Sequence, residues 1–142
     1  MRFPITFTIE ASPKTKKNHS QFVWVGTGNG KKFPKLVPSK QYVEFEKASE
    51  PYCPKLYIDI PVNIKVTAYV ERRSKVDLAN MLNAVDDILV KHGTITDDNR
   101  NIVYSHDGSR ILWDKEHPRV EIEITKTDRK DFQIWKTEKE KT

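Results

Sequence analysis

The sequence predicts an α+β fold, with two helices packed on a mixed or mostly antiparallel sheet of about five strands. Two patterns support this prediction. Apolar and polar residues alternate in several short stretches, as in half-buried strands, and two longer stretches repeat apolar residues with the period of an α-helix. Elements of these two kinds are expected to pack as layers around one core.

Alternation locates the strands. Apolar residues at positions 3, 5, 7 and 9 mark a first strand that ends near Ser12 and Pro13, and residues 62–70 form the clearest strand of the chain. The remaining predicted strands are residues 21–25 and 32–37, which form a hairpin with the favoured turn dipeptide Asn29-Gly30, and residues 102–105, 110–113 and 120–124. Asp107 and Gly108 mark a turn.

Two helices are predicted from their periodicity and end signals. The first runs from an N-cap at Ser39 to about Glu50, and its expected buried positions are Tyr42, Val43, Phe45 and Ala48. The second runs from residue 78 to 92, with Asp77 as its N-cap and Gly93 as its stop. Its expected core-facing residues are Leu78, Met81, Leu82, Val85, Ile88 and Leu89, and its opposite side is polar and largely acidic.

The length of 142 residues suits one domain, assigned to residues 1–126, followed by a charged tail or dimer arm at residues 127–142. Cys53 is the only cysteine, which excludes an internal disulfide and a cysteine-based zinc site, and a buried or half-buried side chain is expected there. The first residues lack the apolar run of a signal peptide, and no stretch approaches a membrane span. We therefore expect a cytoplasmic protein without a membrane partner.

Charge is distributed unevenly around the net value of +5. Residues 1–42 contain eight basic side chains and one acidic side chain, whereas residues 71–98 contain four basic and six acidic ones. A basic surface beside an acidic cluster suits a polyanionic substrate that is positioned at a cation site. The alternative is a solvated lysine-rich surface without a specific role.

The acidic stretch offers ligands for Mg²⁺, which prefers oxygen atoms and takes only a few of them from protein. The available carboxylates are Asp77, Asp86, Asp87, Asp97 and Asp98. A bound Mg²⁺ would activate water and stabilise charge during phosphodiester cleavage. The structural alternatives are a helix cap at Asp77, a solvated helix face at Asp86 and Asp87, and a turn at residues 96–99.

The run Asp77-Leu-Ala-Asn80, the helix that follows, His92-Gly93 and Asp97-Asp98-Asn99 together resemble the core motif of the RusA-type Holliday-junction resolvases. That motif runs D-x-D-N, a helix, a glycine turn and a pair of aspartates. The similarity extends more loosely to the loop from Pro13 to Asn18 and to the helix start at residues 39–42.

The resemblance implies a metal site and a substrate. Asp77 and Asp98 would be the catalytic, metal-binding aspartates, with Asp97 and Asn80 as neighbours, and Mg²⁺ would be the cofactor, for which Mn²⁺ could substitute. Ala79 replaces the second aspartate of the motif, and Asn83 replaces a lysine often found one turn later. Asp86, Asp87 or Asp97 could supply the missing ligand.

The predicted function is the resolution of Holliday junctions and other branched DNA by a homodimer. The expected DNA-binding residues are Lys14, Lys16, Lys17, Asn18, Arg72, Arg73, Lys75, Asn80 and Asn83. A helix of 15 residues is about 22 Å long, so Asp77 and Asp98 start near opposite ends, and a symmetric dimer could bring them together. The alternatives are a junction-binding module that has lost nuclease activity and a scaffold protein with no role on DNA.

Overall fold

The computed structural model describes residues 1–16, 21–37, 40–73 and 75–128. The strands are β1 (Ile5–Ile9), β2 (Gln21–Gly26), β3 (Lys32–Val37), β4 (Val62–Val70), β5 (Val103–Ser105), β6 (Arg110–Trp113) and β7 (Arg119–Lys126). The helices are α1 (Lys40–Ser49) and α2 (Leu78–Lys91), with a short 3-10 turn at Glu50–Tyr52. The predicted α+β class is confirmed, because a mixed sheet of five strands is accompanied by two helices.

The main sheet has the order β1-β7-β4-β5, and β6 pairs with the same edge of β4 farther along that strand. β7 pairs antiparallel with both β1 and β4, whereas β5 and β6 run parallel to β4. β4 is therefore the central strand. Its residues alternate between buried and half-buried positions, as the strict alternation of residues 62–70 predicted.

The amphipathic face of α2 packs on β4 and supplies much of the core through Met81, Val85, Ile88 and Leu89, all of them fully buried. Two expectations for this helix are wrong. Leu78 is exposed, because it is the first helical residue and projects beyond the packed stripe. Asp86 is buried rather than solvated, at 7% exposure, because its position on the helix lies beside the apolar stripe.

The first helix buries a narrower face than its sequence suggested. Tyr42 and Phe45 are buried as predicted, but Val43 and Ala48 are exposed, and Ser49 is buried instead. The three buried positions are three and four residues apart, so they form a single line along the helix. The Ser49 hydroxyl donates to the Phe45 carbonyl oxygen at 2.7 Å, which satisfies this polar group in the core. The predicted N-cap at Ser39 lies outside the described residues.

The predicted hairpin is present, with β2 and β3 paired antiparallel, and it forms a two-stranded sheet separate from the main one. Cys53 is buried, in agreement with its expected role as a small core residue.

In the part of the chain that the structure describes, the helices are too short and too polar to cross a bilayer. The assignment of residues 127–142 to a tail or dimer arm remains a prediction, because residues 129–142 lie outside the described ranges.

Candidate active site

A cleft of about 380 Å³ lies beside the polar side of α2. Three separate parts of the chain contribute to it: the loop after β1, the helix itself and the segment that follows the helix. Its lining residues, within the described ranges, are Lys16, Asn80, Asn83, Ala84, Asp87 and Asp98. The cleft thus combines one ammonium group, two amides and two carboxylates.

The helical repeat explains how α2 contributes to the cleft. Asn80, Asn83 and Asp87 are spaced at three and four residues, so their side chains form one stripe along the helix surface. Ala84 lies in the same stripe and is buried, and its small side chain leaves room between the polar groups. The cleft stripe adjoins the core-facing stripe of the same helix.

A left-handed turn brings Asp98 back to the helix. Gly93 has a φ of +81°, a conformation that glycine adopts without strain, and the Thr94 amide donates to the Leu89 carbonyl oxygen at 2.9 Å. A short parallel bridge between Ile58 and Ile95 then fixes the direction of the returning segment. One chain therefore brings Asp98 into the same cleft as Asn80 from the first helical turn, without a second protomer.

The charges in the cleft interact with one another. The Lys16 ammonium nitrogen lies 2.9 Å from an oxygen of Asp87 and 5.3 Å from the centre of the Tyr42 ring. Partial burial raises the pKa of Asp98, and a hydrogen bond with Asp97 and the negative charge of Asp87 raise it further. A cation held between Asp87 and Asp98 would remove this repulsion.

The carboxylates of Asp97 and Asp77 accept hydrogen bonds from residues close to them in the sequence. One Asp97 oxygen accepts the Asp98 amide hydrogen at 2.7 Å and the other accepts from the Asn99 side chain at 3.0 Å, and these bonds lower the pKa of Asp97. Asp77 is the N-cap of α2, as predicted, and its Oδ1 accepts from the amides of Ala79 and Asn80. Among the described residues, neither Asp77 nor Asp97 lines the cleft.

Asp86, which is buried, pairs with the half-buried His106. Its Oδ2 lies 2.8 Å from His106 Nε2, and His106 Nδ1 lies 2.7 Å from the Ile64 carbonyl oxygen of β4. A carbonyl oxygen only accepts, so Nδ1 must carry a hydrogen and donate it. Nε2 and the carboxyl group therefore share one further proton.

The environment shifts both members of this pair in the same direction. Burial raises the pKa of Asp86, although the hydrogen bond and charge of His106 act against this effect. Burial alone would lower the pKa of His106, but the hydrogen bond and negative charge of Asp86 outweigh it, and the net shift is upward. The other Asp86 oxygen is buried and has no hydrogen-bond partner among the described residues.

The expected DNA-binding residues differ in their surroundings. Lys14 forms a 2.6 Å ion pair with Glu71, which lowers the pKa of that carboxylate. The Arg73 guanidinium stacks over the Trp113 ring at 4.3 Å. Arg72 and Lys75 are exposed. Lys17 and Asn18 lie outside the described residues.

The oxygen donors of the cleft fit Mg²⁺ better than a softer metal. Asp87 and Asp98 offer carboxylates, and Asn80 and Asn83 offer amide oxygens. No group of three or more His, Cys, Asp or Glu side chains that could hold a metal occurs in residues 1–16, 21–37, 40–73 and 75–128. Mg²⁺ is commonly bound by one or two carboxylates, with water and substrate phosphates completing its shell, so two carboxylates are a suitable protein contribution.

Sequence reasoning missed the partnership of Asp86 and His106. The position of Asp86, four residues after Leu82 and three before Leu89, was a usable signal, because it places the side chain beside the apolar stripe. Nothing in the sequence pairs it with His106, which precedes the turn predicted at Asp107 and Gly108. The two residues meet through tertiary packing, in which His106 contacts both Asp86 of α2 and the Ile64 carbonyl oxygen of β4.

Comparison with known proteins gives one family match. The model described as endodeoxyribonuclease RusA matches residues 10–125, which include every residue that lines the cleft. A comparison with curated proteins gives no match.

Proposed function

Because this chain belongs to the RusA endodeoxyribonuclease family, we propose that it is a Mg²⁺-dependent endonuclease that resolves Holliday junctions and other branched DNA by paired phosphodiester hydrolysis. The family supports nuclease action on such DNA. We propose in addition that cleavage depends on the metal, that the residues described below take part in it, and that this chain is catalytically competent.

The cleft beside α2 is the observation that carries this proposal. It combines two carboxylates that repel each other, Asp87 and Asp98, with the ammonium group of Lys16. Such a site attracts a divalent cation and, once that charge is present, a phosphodiester. Asp87 would thus supply the carboxylate that Ala79 removes from the family motif.

The residues have distinct proposed roles. Asp87 and Asp98 hold Mg²⁺, which when bound lowers the pKa of a water molecule and stabilises charge on the phosphate. Asp77 is proposed as a further catalytic and metal-binding carboxylate from the resemblance, and Asp97 as a weaker ligand that also orients Asp98 through its amide. Lys16 contacts the phosphate once Asp87 has engaged the cation.

The proposed DNA surface extends from the cleft. Lys16, Asn80 and Asn83 lie in the cleft itself, and Arg72, Arg73 and Lys75 stand on the segment that leads into α2. Lysine and arginine contacts of this kind position the backbone without reading the bases. Lys14 contributes less in this proposal, because Glu71 already neutralises it; Lys17 and Asn18 remain predictions.

A homodimer is proposed as the active assembly, because a four-way junction requires two symmetric cuts. Each protomer carries its own cleft, so the dimer would serve to place two cuts rather than to complete one site. Sedimentation equilibrium tests this proposal. A two-fold assembly is expected at assay concentrations, and a monomer that cuts both strands in step would contradict it.

The direct test is cleavage of a four-way junction in Mg²⁺, with a linear duplex of the same sequence as control. We expect Asp98→Asn and Asp87→Asn each to lower the cleavage rate about 100-fold or more, since a metal supplies several kcal/mol of charge stabilisation. Asp59→Asn is the matched control, because Asp59 is an exposed aspartate outside the cleft. Unchanged cleavage and metal dependence in both cleft variants would contradict the proposed site.

The same assay separates the proposal from a junction-binding module without nuclease activity. Ala79 and Asn83 motivate that alternative, since each lacks the charge of the family motif. Junction binding in EDTA together with no cleavage in Mg²⁺ or Mn²⁺ would favour the binding module. Absence of any salt-dependent affinity for DNA would instead favour a scaffold protein.

A further inference from the structure

The hairpin of β2 and β3 leaves two aromatic side chains exposed. Trp24 is 70% exposed and Phe33 is 45% exposed, although aromatic residues usually contribute large buried areas. The hairpin is hydrogen-bonded as its own two-stranded sheet and is not paired with the five-stranded one. An isolated two-stranded hairpin is only marginally stable in water, so a partner that covers these rings would stabilise it.

The register places the two rings on opposite faces of the hairpin. Trp24 lies across from Pro34, and Val25 lies across from Phe33. Directly opposed residues share a face, and neighbours along a strand point to opposite faces. Trp24 and Phe33 therefore project in opposite directions, so each face of the hairpin carries one of these two rings.

The charge of the hairpin restricts the kind of partner. Residues 21–37 contain Lys31, Lys32 and Lys35 and no acidic residue, and the acid-free stretch extends from residue 11 to residue 43. These three lysines are exposed. A second copy of the same hairpin would bring like charges together, whereas a polyanion would be attracted. Exposed rings flanked by lysines match the combination that binds nucleic acid through stacking and phosphate contacts.

Chain connectivity keeps the hairpin near the cleft. Lys16 lines the cleft, and Gln21 begins β2 only five residues later, so fully extended chain would separate their Cα atoms by at most about 18 Å. Each strand has six residues and is about 20 Å long. DNA bound at the cleft is therefore within reach of the ribbon.

We propose that this hairpin is a wedge that enters the branch point of junction DNA and stacks Trp24 and Phe33 on the bases exposed there. The inference rests on the proposed function, because it assumes that branched DNA is bound. Bases inside a continuous duplex are already stacked on both sides, whereas a branch point leaves base faces that a ring can cover. The three hairpin lysines contact the phosphates on either side.

The first test measures binding to a four-way junction and to a matched linear duplex in EDTA, where cleavage does not contribute. Base stacking on an aromatic ring corresponds to about a 5- to 150-fold change in affinity per base. We expect Trp24→Ala and Phe33→Ala each to weaken junction binding within this range and to leave duplex binding nearly unchanged. Trp24→Phe should retain most of the affinity, and Tyr52→Ala removes an exposed aromatic outside the hairpin as a control.

The second test uses Trp24 as a reporter in the full chain. The variant with Trp113→Phe and Trp135→Phe retains Trp24 as its single tryptophan. We expect its fluorescence to be quenched by the junction and much less by the duplex. Equal quenching by both DNAs, or no quenching, would overturn the wedge.

The outcomes distinguish this inference from the proposed function. If the unchanged protein cuts junctions but the alanine variants keep its junction preference, the wedge is wrong and the nuclease proposal stands. If the hairpin variants lose junction binding but no metal supports cleavage by the unchanged protein, the nuclease proposal is wrong and the wedge stands. Loss of dimer in the alanine variants, seen by sedimentation, would assign the rings to a second copy of the chain and overturn the wedge.

Discussion

Lys16 and Asp87 form an ion pair that neutralises part of the charge in the cleft. Their contact of 2.9 Å connects the loop after β1 to the middle of α2. Both side chains are partly exposed, so solvent screens the attraction and the pair can separate at low cost. If the proposed metal bound Asp87, the ammonium group would be free to contact a phosphate.

Replacement of Lys16 by alanine tests this exchange. We expect Mn²⁺ to bind the Lys16→Ala variant up to about fivefold more tightly, since an exposed ion pair contributes at most about 1 kcal/mol. We expect the affinity for DNA to fall. The slope of log affinity against log salt concentration should become shallower by about one, because one phosphate contact is lost. Isothermal titration with Mn²⁺ and a salt series of DNA binding measure the two effects.

Two further variants sharpen that test. Lys47→Ala removes an exposed lysine of α1 that does not line the cleft, and it should change neither quantity. Asn83→Lys in the Lys16→Ala background returns a cation to the cleft from the helix and should restore the DNA affinity. If both variants fold but the DNA affinity is not restored, Lys16 does not act through its charge in the cleft.

His106 and Asp86 make a pH-dependent contribution to stability. Both pKa values are raised by folding, so the stability that the pair provides is greatest at low pH and declines as the shared proton is lost. For His106 the contribution is full below about pH 6.5, the value of a free imidazole, and is lost as pH rises through the higher pKa of the folded state. Deprotonation leaves a nitrogen lone pair facing a buried carboxylate.

We expect His106→Gln to lower the free energy of unfolding by about 1.5–3 kcal/mol at pH 6, the range for hydrogen bonds to charged groups, and by less at pH 8.5. Urea denaturation in EDTA at both pH values measures this difference. His117→Gln is the control, because His117 is largely exposed, so solvent screens its contact with Glu10 and its replacement should cost little. An equal loss at both pH values would show that the shared proton does not contribute.

At the residue scale, the sequence predicted which kinds of side chain form the site, but not all of the pairs that these side chains make. Asp98 and Asp87 were identified because acidic residues around one helix suit a cation, and both lie in the cleft. Asp86 was considered either a solvated residue or a possible metal ligand, and its pairing with His106 could not be predicted. That pairing depends on tertiary packing across β4, which no local pattern encodes.

At the element scale, α2 has two faces with different roles, and both of its ends are well defined. Its apolar stripe packs on β4, and the adjoining polar stripe lines the cleft, so the helix fixes the cleft relative to the core. Asp77 caps one end, and the left-handed Gly93 ends the other. The sequence predicted both ends correctly, because capping and left-handed turns depend on local residue types.

Asp77 has a structural role as the cap and a proposed catalytic role, and two substitutions separate them. Asparagine also caps helices well, so Asp77→Asn should retain stability, whereas Asp77→Ala should cost about 1 kcal/mol, measured by urea denaturation. We expect both variants to lose junction cleavage. Full cleavage by Asp77→Asn would restrict Asp77 to its role as a cap and leave Asp87 and Asp98 as the metal carboxylates.

At the scale of the whole molecule, the mixed sheet brings distant segments to one place. The fold class, the number of helices and nearly all strand positions followed from periodicity, because alternation and the helical repeat are local signals. The strand order did not, since pairing of β4 with β5, β6 and β7 depends on contacts across the chain. The return of Asp98 to the cleft is also a long-range result. The length estimate along α2 concerned the distance between Asp77 and Asp98, and Asp77 does not line the cleft.

The most direct test of the account is the position of bound Mn²⁺ in a crystal of the protein, located by its anomalous scattering. We predict a peak in the cleft, about 2.1 Å from carboxylate oxygens of Asp87 and Asp98, and its loss in Asp98→Asn. Absence of a peak near Asp77, Asp87 or Asp98, in a crystal that binds Mn²⁺ elsewhere, would contradict the proposed metal-dependent nuclease.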